Sequence, residues 1–126
     1  MVDFVGYKTS TQSATVAATS ADASATVLYT CPAKHSASVD MLFLSNNNAG
    51  AKKISVQHYD SESATYNHIA KVHSIAANSS FNLLGDSQMH LQSGDKIVLY
   101  AETTNTIEST ISKTISSTTT KEIVHV

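Results

Sequence analysis

The chain contains no arginine and no tryptophan, a single cysteine, a single proline and only four glycines in 126 residues. Each absence removes a class of function. Arginine makes the forked contacts that bind phosphate and carboxylate best. Positive charge is carried here by eight Lys against ten acidic residues, for a net charge of −2. Those Lys are scattered, apart from Lys52 and Lys53, so no basic patch forms and nucleic-acid binding is not expected. The lone Cys31 rules out an internal disulfide and sits in the apolar run Val27–Cys31, where a buried, inert thiol is expected. So few glycines leave no phosphate-cradling loop to read. No stretch approaches the roughly 20 apolar residues of a membrane span. The start Met1-Val2-Asp3-Phe4 has neither the basic residues nor the apolar run of a signal peptide. A protein made and kept in a cytosol-like compartment is therefore expected.

What is present points to β-structure. Apolar residues make up 41% of the chain and aromatics only 6%, so a core of Val, Ile, Leu and Ala is expected. Ser and Thr together number 34. Thr favours strands, Ser costs little on an outer strand face, and long helix-forming mixtures are missing. The length suits one domain.

Residues 9–24 carry almost no large apolar side chains and cannot bury enough surface to order themselves alone. We expect an N-terminal arm over residues 1–24, anchored by Phe4 and Tyr7 and removable without loss of the fold. The body is expected over 25–116, with a tail or edge strand at 117–126 that includes Ile123 and Val124. Strand patterns run over Ala25–Cys31, Ser36–Ser45, Lys53–Tyr59 and Tyr66–Ile75. Shorter ones cover Phe81–Leu84 and Met89–Leu91, and two more cover Lys96–Glu102 and Thr106–Ser116. Turn residues separate them, clearest at Asn46–Gly50 and Ser93-Gly94-Asp95. In the second strand strict alternation puts Val39, Met41 and Phe43 on the core face. Leu42 and Leu44 then make the opposite face partly apolar, either covered by another element or turned to a partner. The fold class is all-β: an antiparallel β-sandwich, jelly-roll-like or immunoglobulin-like, of about seven or eight short strands.

Chemistry finds no foothold. The six histidines (His35, His58, His68, His73, His90 and His125) fall in no metal-ligand spacing. His58 reads as a satisfied core or rim residue, and Asp40 as a hydrogen-bonded strand residue. No nucleophile elbow is present. The expectation is no enzyme, no cofactor and no metal.

Residues 25–116 resemble small virion structural proteins of tailed bacteriophages, particularly marine and cyanobacterial ones. Three stretches carry the resemblance. The first is Ala25-Thr26-Val27-Leu28-Tyr29-Thr30-Cys31-Pro32-Ala33-Lys34-His35, and the second is Met41-Leu42-Phe43-Leu44-Ser45-Asn46-Asn47-Asn48. The third is Ala77-Asn78-Ser79-Ser80-Phe81-Asn82-Leu83-Leu84 with Leu91-Gln92-Ser93-Gly94-Asp95-Lys96-Ile97. The family usually has Gly where this chain has Lys34, and Ala-Gly or Pro-Ala-Gly where it has Ala77-Asn78. The resemblance implies a β-sandwich on the virion surface, made in the host cytoplasm, with no catalytic residues. The small size, the absent catalytic set, the polar arm and the partly apolar face around Leu42 and Leu44 then put a capsid decoration or cement protein first, and a neck, tail or baseplate accessory next. A carbohydrate- or receptor-binding sandwich, with Tyr59 and Tyr66 flanking its loop, is the reading from another class. Expected partners are the major capsid protein or other virion proteins and further copies of the chain, a trimer among the compatible homo-oligomers. Phe4, Tyr7, Leu42, Leu44, Ile123 and Val124 are the interface candidates.

Overall fold

The computed structural model describes residues 7–117. Nine strands lie among them: β1 (Tyr7–Thr15), β2 (Thr26–Thr30), β3 (His35–Asn46), β4 (Lys52–Asp60), β5 (Thr65–Ile75), β6 (Ser79–Asn82), β7 (Met89–Leu91), β8 (Lys96–Ala101) and β9 (Ile107–Ser117). One sheet, A, has the order β1-β9-β3-β6, with β7 also on β3; the other, B, has the order β2-β8-β4-β5. All pairings are antiparallel. The first strand pairs with the last, the second with the next to last, the fourth with the fifth. With β6 and β7 taken as one interrupted strand along β3, this is the double-sheet jelly roll. The topology decides between the two sandwich types left open by the sequence.

The core between the sheets is aliphatic, as composition suggests. Val39, Leu42 and Leu44 of sheet A, with Ile107 and Ile111, face Ile54, Val56, Ile97 and Leu99 of sheet B, all buried. Fully burying such a side chain contributes about 1.5–3 kcal/mol. The four-residue spacing of Ile107 and Ile111 is that of a strand face, which Ser109 and Lys113 share.

Two expectations are corrected. Alternation along β3 breaks at a bulge: Val39 pairs with Lys113 and Met41 with Ser112, leaving Asp40 extra. A bulge of one residue exchanges the faces beyond it. Hence Val39 points inward as expected, but Leu42 and Leu44 follow it into the core and Phe43 turns out, 39% exposed. Leu42 and Leu44 are covered by the chain's own second sheet and are not surface residues. Asn82 repairs the irregularity, accepting the Leu42 N–H at 3.2 Å while Leu83 donates to the Leu42 carbonyl at 2.9 Å.

The second correction concerns the arm. Residues 7–15 are an edge strand, paired with β9 residue for residue from Tyr7↔Ser116 to Thr15↔Glu108. Val16 behind it is wholly buried, and its N–H and C=O bond Ile107 and Asn105. This polar segment gains its order from a partner strand, not from its own apolar surface. Removing residues 1–24 would therefore strip β9 of one of its two neighbours. The expected tail strand, with Ile123 and Val124, lies outside the described residues, as does Phe4.

Candidate functional site

Polar side chains gather in three places. At one end of the sandwich Asp95, 4% exposed, accepts hydrogen bonds from Ser61 N–H (3.0 Å), Ser61 Oγ (3.1 Å), Gln92 N–H (3.1 Å) and His58 Nε2 (3.1 Å). Burial raises its pKa, but these bonds outweigh burial and hold the carboxyl below its ordinary value. Gly94, at φ 86°, brings the turn so close to Ser61 that an added Cβ would stand 3.0 Å from Ser61 Oγ. The Cys31 N–H donates to the Asp95 carbonyl at 2.8 Å, and the Lys34 N–H to Ser93 Oγ at 3.0 Å. The Asp95 carboxylate thus ties the β4–β5 and β7–β8 connections together, while its main-chain carbonyl and Ser93 Oγ hold the β2–β3 connection. Ser, His and Asp are all here, but Ser61 Oγ bonds the carboxylate and the Ser93 carbonyl (2.8 Å), and His58 presents Nε2 to the acid. That wiring makes a structural latch; it lacks the serine-to-histidine bond of a nucleophile and base.

The outer face of sheet B carries the aromatics. Tyr59 and Tyr66 lie side by side with centroids 4.6 Å apart at 43°, and Lys96 Nζ stands 5.2 Å over the Tyr59 ring. His68 Nε2 is 2.7 Å from the Tyr100 hydroxyl. These rings are engaged with one another, so no free, coplanar platform for a sugar results. Ser55 and Gln57 point outward, as alternation requires, yet both are buried. The loop 17–25 lies over Gln57, whose Oε1 accepts the Asp22 N–H (2.9 Å) and whose Nε2 donates to Asp22 Oδ1 (2.9 Å). Ser55 Oγ accepts the N–H of Val72 at 2.8 Å. The groove beside it, lined by Thr19, Lys53, Val72, Tyr100 and Glu102, holds about 110 Å³. Small-molecule sites usually begin at roughly 300 Å³.

The outer face of sheet A is a ladder of hydroxyls. Register sets Thr9, Thr11 and Ser13 of β1 beside Thr114, Ser112 and Thr110 of β9. Thr9 and Thr114 oxygens lie 3.1 Å apart, Ser13 and Thr110 2.9 Å, Ser36 and Ser116 3.2 Å. Asp40 is held by Gln88 Nε2 at 2.8 Å, as a hydrogen-bonded strand residue should be. Phe43 stands exposed in this face, between Thr110 on β9 and Asn82 on β6. A hollow of about 320 Å³ at the β1–β9 end is lined by Ser13, Ala14, Thr15, Glu108, Ser109 and Thr110, with no aromatic wall.

Inside the core, Lys113 is 4% exposed; its Nζ donates to Ser10 Oγ at 3.0 Å and lies 4.8 Å over the Tyr29 ring. Burial first, then repulsion from Cys31, pushes the Tyr29 phenol up to about 12. Burial, with a contribution from Asp95, also raises the pKa of Cys31, 1% exposed, as an inert thiol requires. The Tyr29 hydroxyl is buried and has no hydrogen-bond partner among the described residues. Tyr29→Phe should therefore be neutral or stabilise the protein by up to about 1 kcal/mol, since an unsatisfied buried group is removed. In wild type the phenol stays neutral in the fold while the unfolded chain ionises near pH 10. Its contribution to stability is thus full below about pH 10 and is lost as pH rises through the folded value of about 12. Ultraviolet titration should show one late tyrosinate step that Tyr29→Phe abolishes. An unchanged titration in the variant would refute the assignment.

Of the interface candidates, Tyr7 heads β1, Leu42 and Leu44 are core, and Phe4, Ile123 and Val124 are not described. The structure brings forward residues that the sequence reading passed over: Phe43 and the hydroxyl rows of β1 and β9. A legible signal existed, because Thr or Ser recurs at alternate positions over Thr9–Thr15 and Thr110–Ser116. Among the described residues no three His, Cys, Asp or Glu side chains come together as a metal site, and no helix is long and apolar enough to cross a membrane.

These features define a jelly-roll domain whose open surfaces are sheet faces and edges. No family model matches the chain, and no curated protein does. Among solved structures, a subunit from the disulfide-linked pili of Bacillus endospore appendages is similar, with 15% identity, 95% of this chain and 93% of that chain covered, and a TM-score of 0.54. At that identity the likeness is one of fold. Two structures of infectious bursal disease virus also match. Its T13 particle gives 11% identity, 88% of this chain covered and a TM-score of 0.44. Its Gx strain gives 10%, 94% and 0.47. This chain spans 31% and 33% of those viral chains.

Proposed function

We propose that this chain is a non-enzymatic structural protein of a tailed-bacteriophage particle, a decoration subunit that cements the head by packing against the major capsid protein. The observation that carries the reading is the outer face of sheet A, a flat run of paired hydroxyls with one exposed aromatic, Phe43, inside it. An aromatic anchor ringed by polar residues is the usual anatomy of a protein contact. A single such contact is weak, but a symmetric lattice engages many together. The polar residues best suited to chemistry, Asp95, His58 and Ser61, are bound up in the latch, which further supports a structural role.

Quantitative mass spectrometry of purified particles against the major capsid protein tests the reading. On the order of hundreds of copies is the expected result for a subunit repeated over the lattice. About a dozen would move the protein to the neck, tail or baseplate. Its absence from the particle would refute the proposal. Phe43→Ser should fold normally and lose occupancy.

A further inference from the structure

We infer that the free edge of β1 pairs with β1 of a second copy, antiparallel about a two-fold axis. This joins sheet A of the two copies into one continuous sheet. The inference rests on the reading of the chain as an assembling subunit, and it names the contact through which two copies meet.

An unpaired strand edge is a template for another strand, and proteins blunt such edges by shortening, bulging or charging them. Sheet B ends in β2 and β5. The first has five residues and a register shift between Val27 and Tyr29. The second is long but shifts register twice against β4 and carries Lys71. It also holds Val72 at φ 53°, a left-handed conformation that a β-branched residue adopts only under strain. On the far side of sheet A, β6 has four residues and β7 three. Three edges are therefore defended. β1 is not: its nine residues pair with β9 without a shift, and they include no Pro and one charged residue, Lys8. No described strand takes its other side.

The same strand explains why the occupant is a second copy. An antiparallel partner identical to β1 and centred on Thr11 sets Thr9 opposite Ser13 and Thr11 opposite itself. That repeats the hydroxyl pairing already present between Thr9 and Thr114 and between Ser13 and Thr110. In the same register Lys8 stands opposite Ala14, and Ser10 opposite Gln12. No like charges meet. A two-fold contact of this kind is self-complementary and closed. It leaves Phe43 and the rest of the outer face free for a different partner.

Analytical ultracentrifugation of the full chain tests this. The expected result is a dimer for wild type and a monomer, half the mass, for Thr11→Lys, which sets two ammonium groups against each other at the seam. Thr11 is exposed, so the circular dichroism of that variant should match wild type. Ser112→Lys, one strand inward on the same face, should remain dimeric, and Thr11→Cys should form a disulfide-linked dimer. A monomeric wild type would overturn the inference, as would a dimer that survives Thr11→Lys or is lost in Ser112→Lys. Particle copy number reads the other proposal separately. A monomer abundant on the particle sinks only the β1 contact, and a dimer missing from the particle sinks only the virion role.

Discussion

Asp95→Ala should lower stability by about 3 kcal/mol, the cost of leaving several buried donors without their acceptor, and depress Tm by roughly 10 °C. The size follows from what is left behind. Two backbone N–H groups and an imidazole lose their acceptor together, while the Ser61 hydroxyl keeps the Ser93 carbonyl, and each buried donor left unmet costs about 1–3 kcal/mol before relaxation. The β4–β5 and β7–β8 connections also lose their common tie. The effect has a pH signature with a definite sign. The folded pKa of Asp95 lies below its unfolded value of roughly 3.9, so its contribution is fully present above that pH and disappears as pH falls through the folded value. Urea unfolding of wild type and variant across the acidic range is the measurement. The two should differ most near neutrality and converge toward about pH 2. A gap that is constant with pH would mean that the carboxylate is not the stabilising group.

Leu42→Ala should cost about 3 kcal/mol, within the range for a fully buried leucine that leaves a cavity. Phe43→Ser, one residue on, should cost less than about 1 kcal/mol. The pair is diagnostic because strict alternation through β3 predicts the opposite order, with Phe43 in the core and Leu42 outside. The bulge at Asp40 inverts them, and burial follows: Leu42 has no exposed surface and Phe43 has 39%. Equilibrium unfolding in urea measures both. A larger loss for Phe43→Ser would show that the register shift is wrong, and with it the assignment of Phe43 to the open face.

These cases mark how far the sequence could be read. The eight strands from β2 to β9 were legible because alternation, β-branched residues and turn formers are local signals, set by side-chain sterics within a few residues. The same holds for His58 as a satisfied histidine. The candidate site was less legible. Leu42 and Leu44 were taken as possible contact residues because a bulge leaves no mark in a run such as Met41-Leu42-Phe43-Leu44, where every residue is apolar. Ser55 and Gln57 read as solvent-facing by alternation, and only the loop 17–25 over Gln57 and the Val72 N–H on Ser55 decide otherwise.

What the sequence determined alone is the class: an all-β domain with an aliphatic core, without a disulfide, a basic patch or a readable catalytic motif. Those properties depend on composition and short-range pattern. Tertiary structure decided the rest. It turned a polar segment with no apolar surface of its own into β1, because β9 supplies hydrogen-bond partners along its whole length. It brought Asp95 of the β7–β8 connection against His58 of β4 and Ser61 just beyond that strand, and it moved Phe43 out and Leu42 in. Each of these depends on what lies opposite a residue in space, and pairing between strands some hundred residues apart is a long-range property that no local window contains.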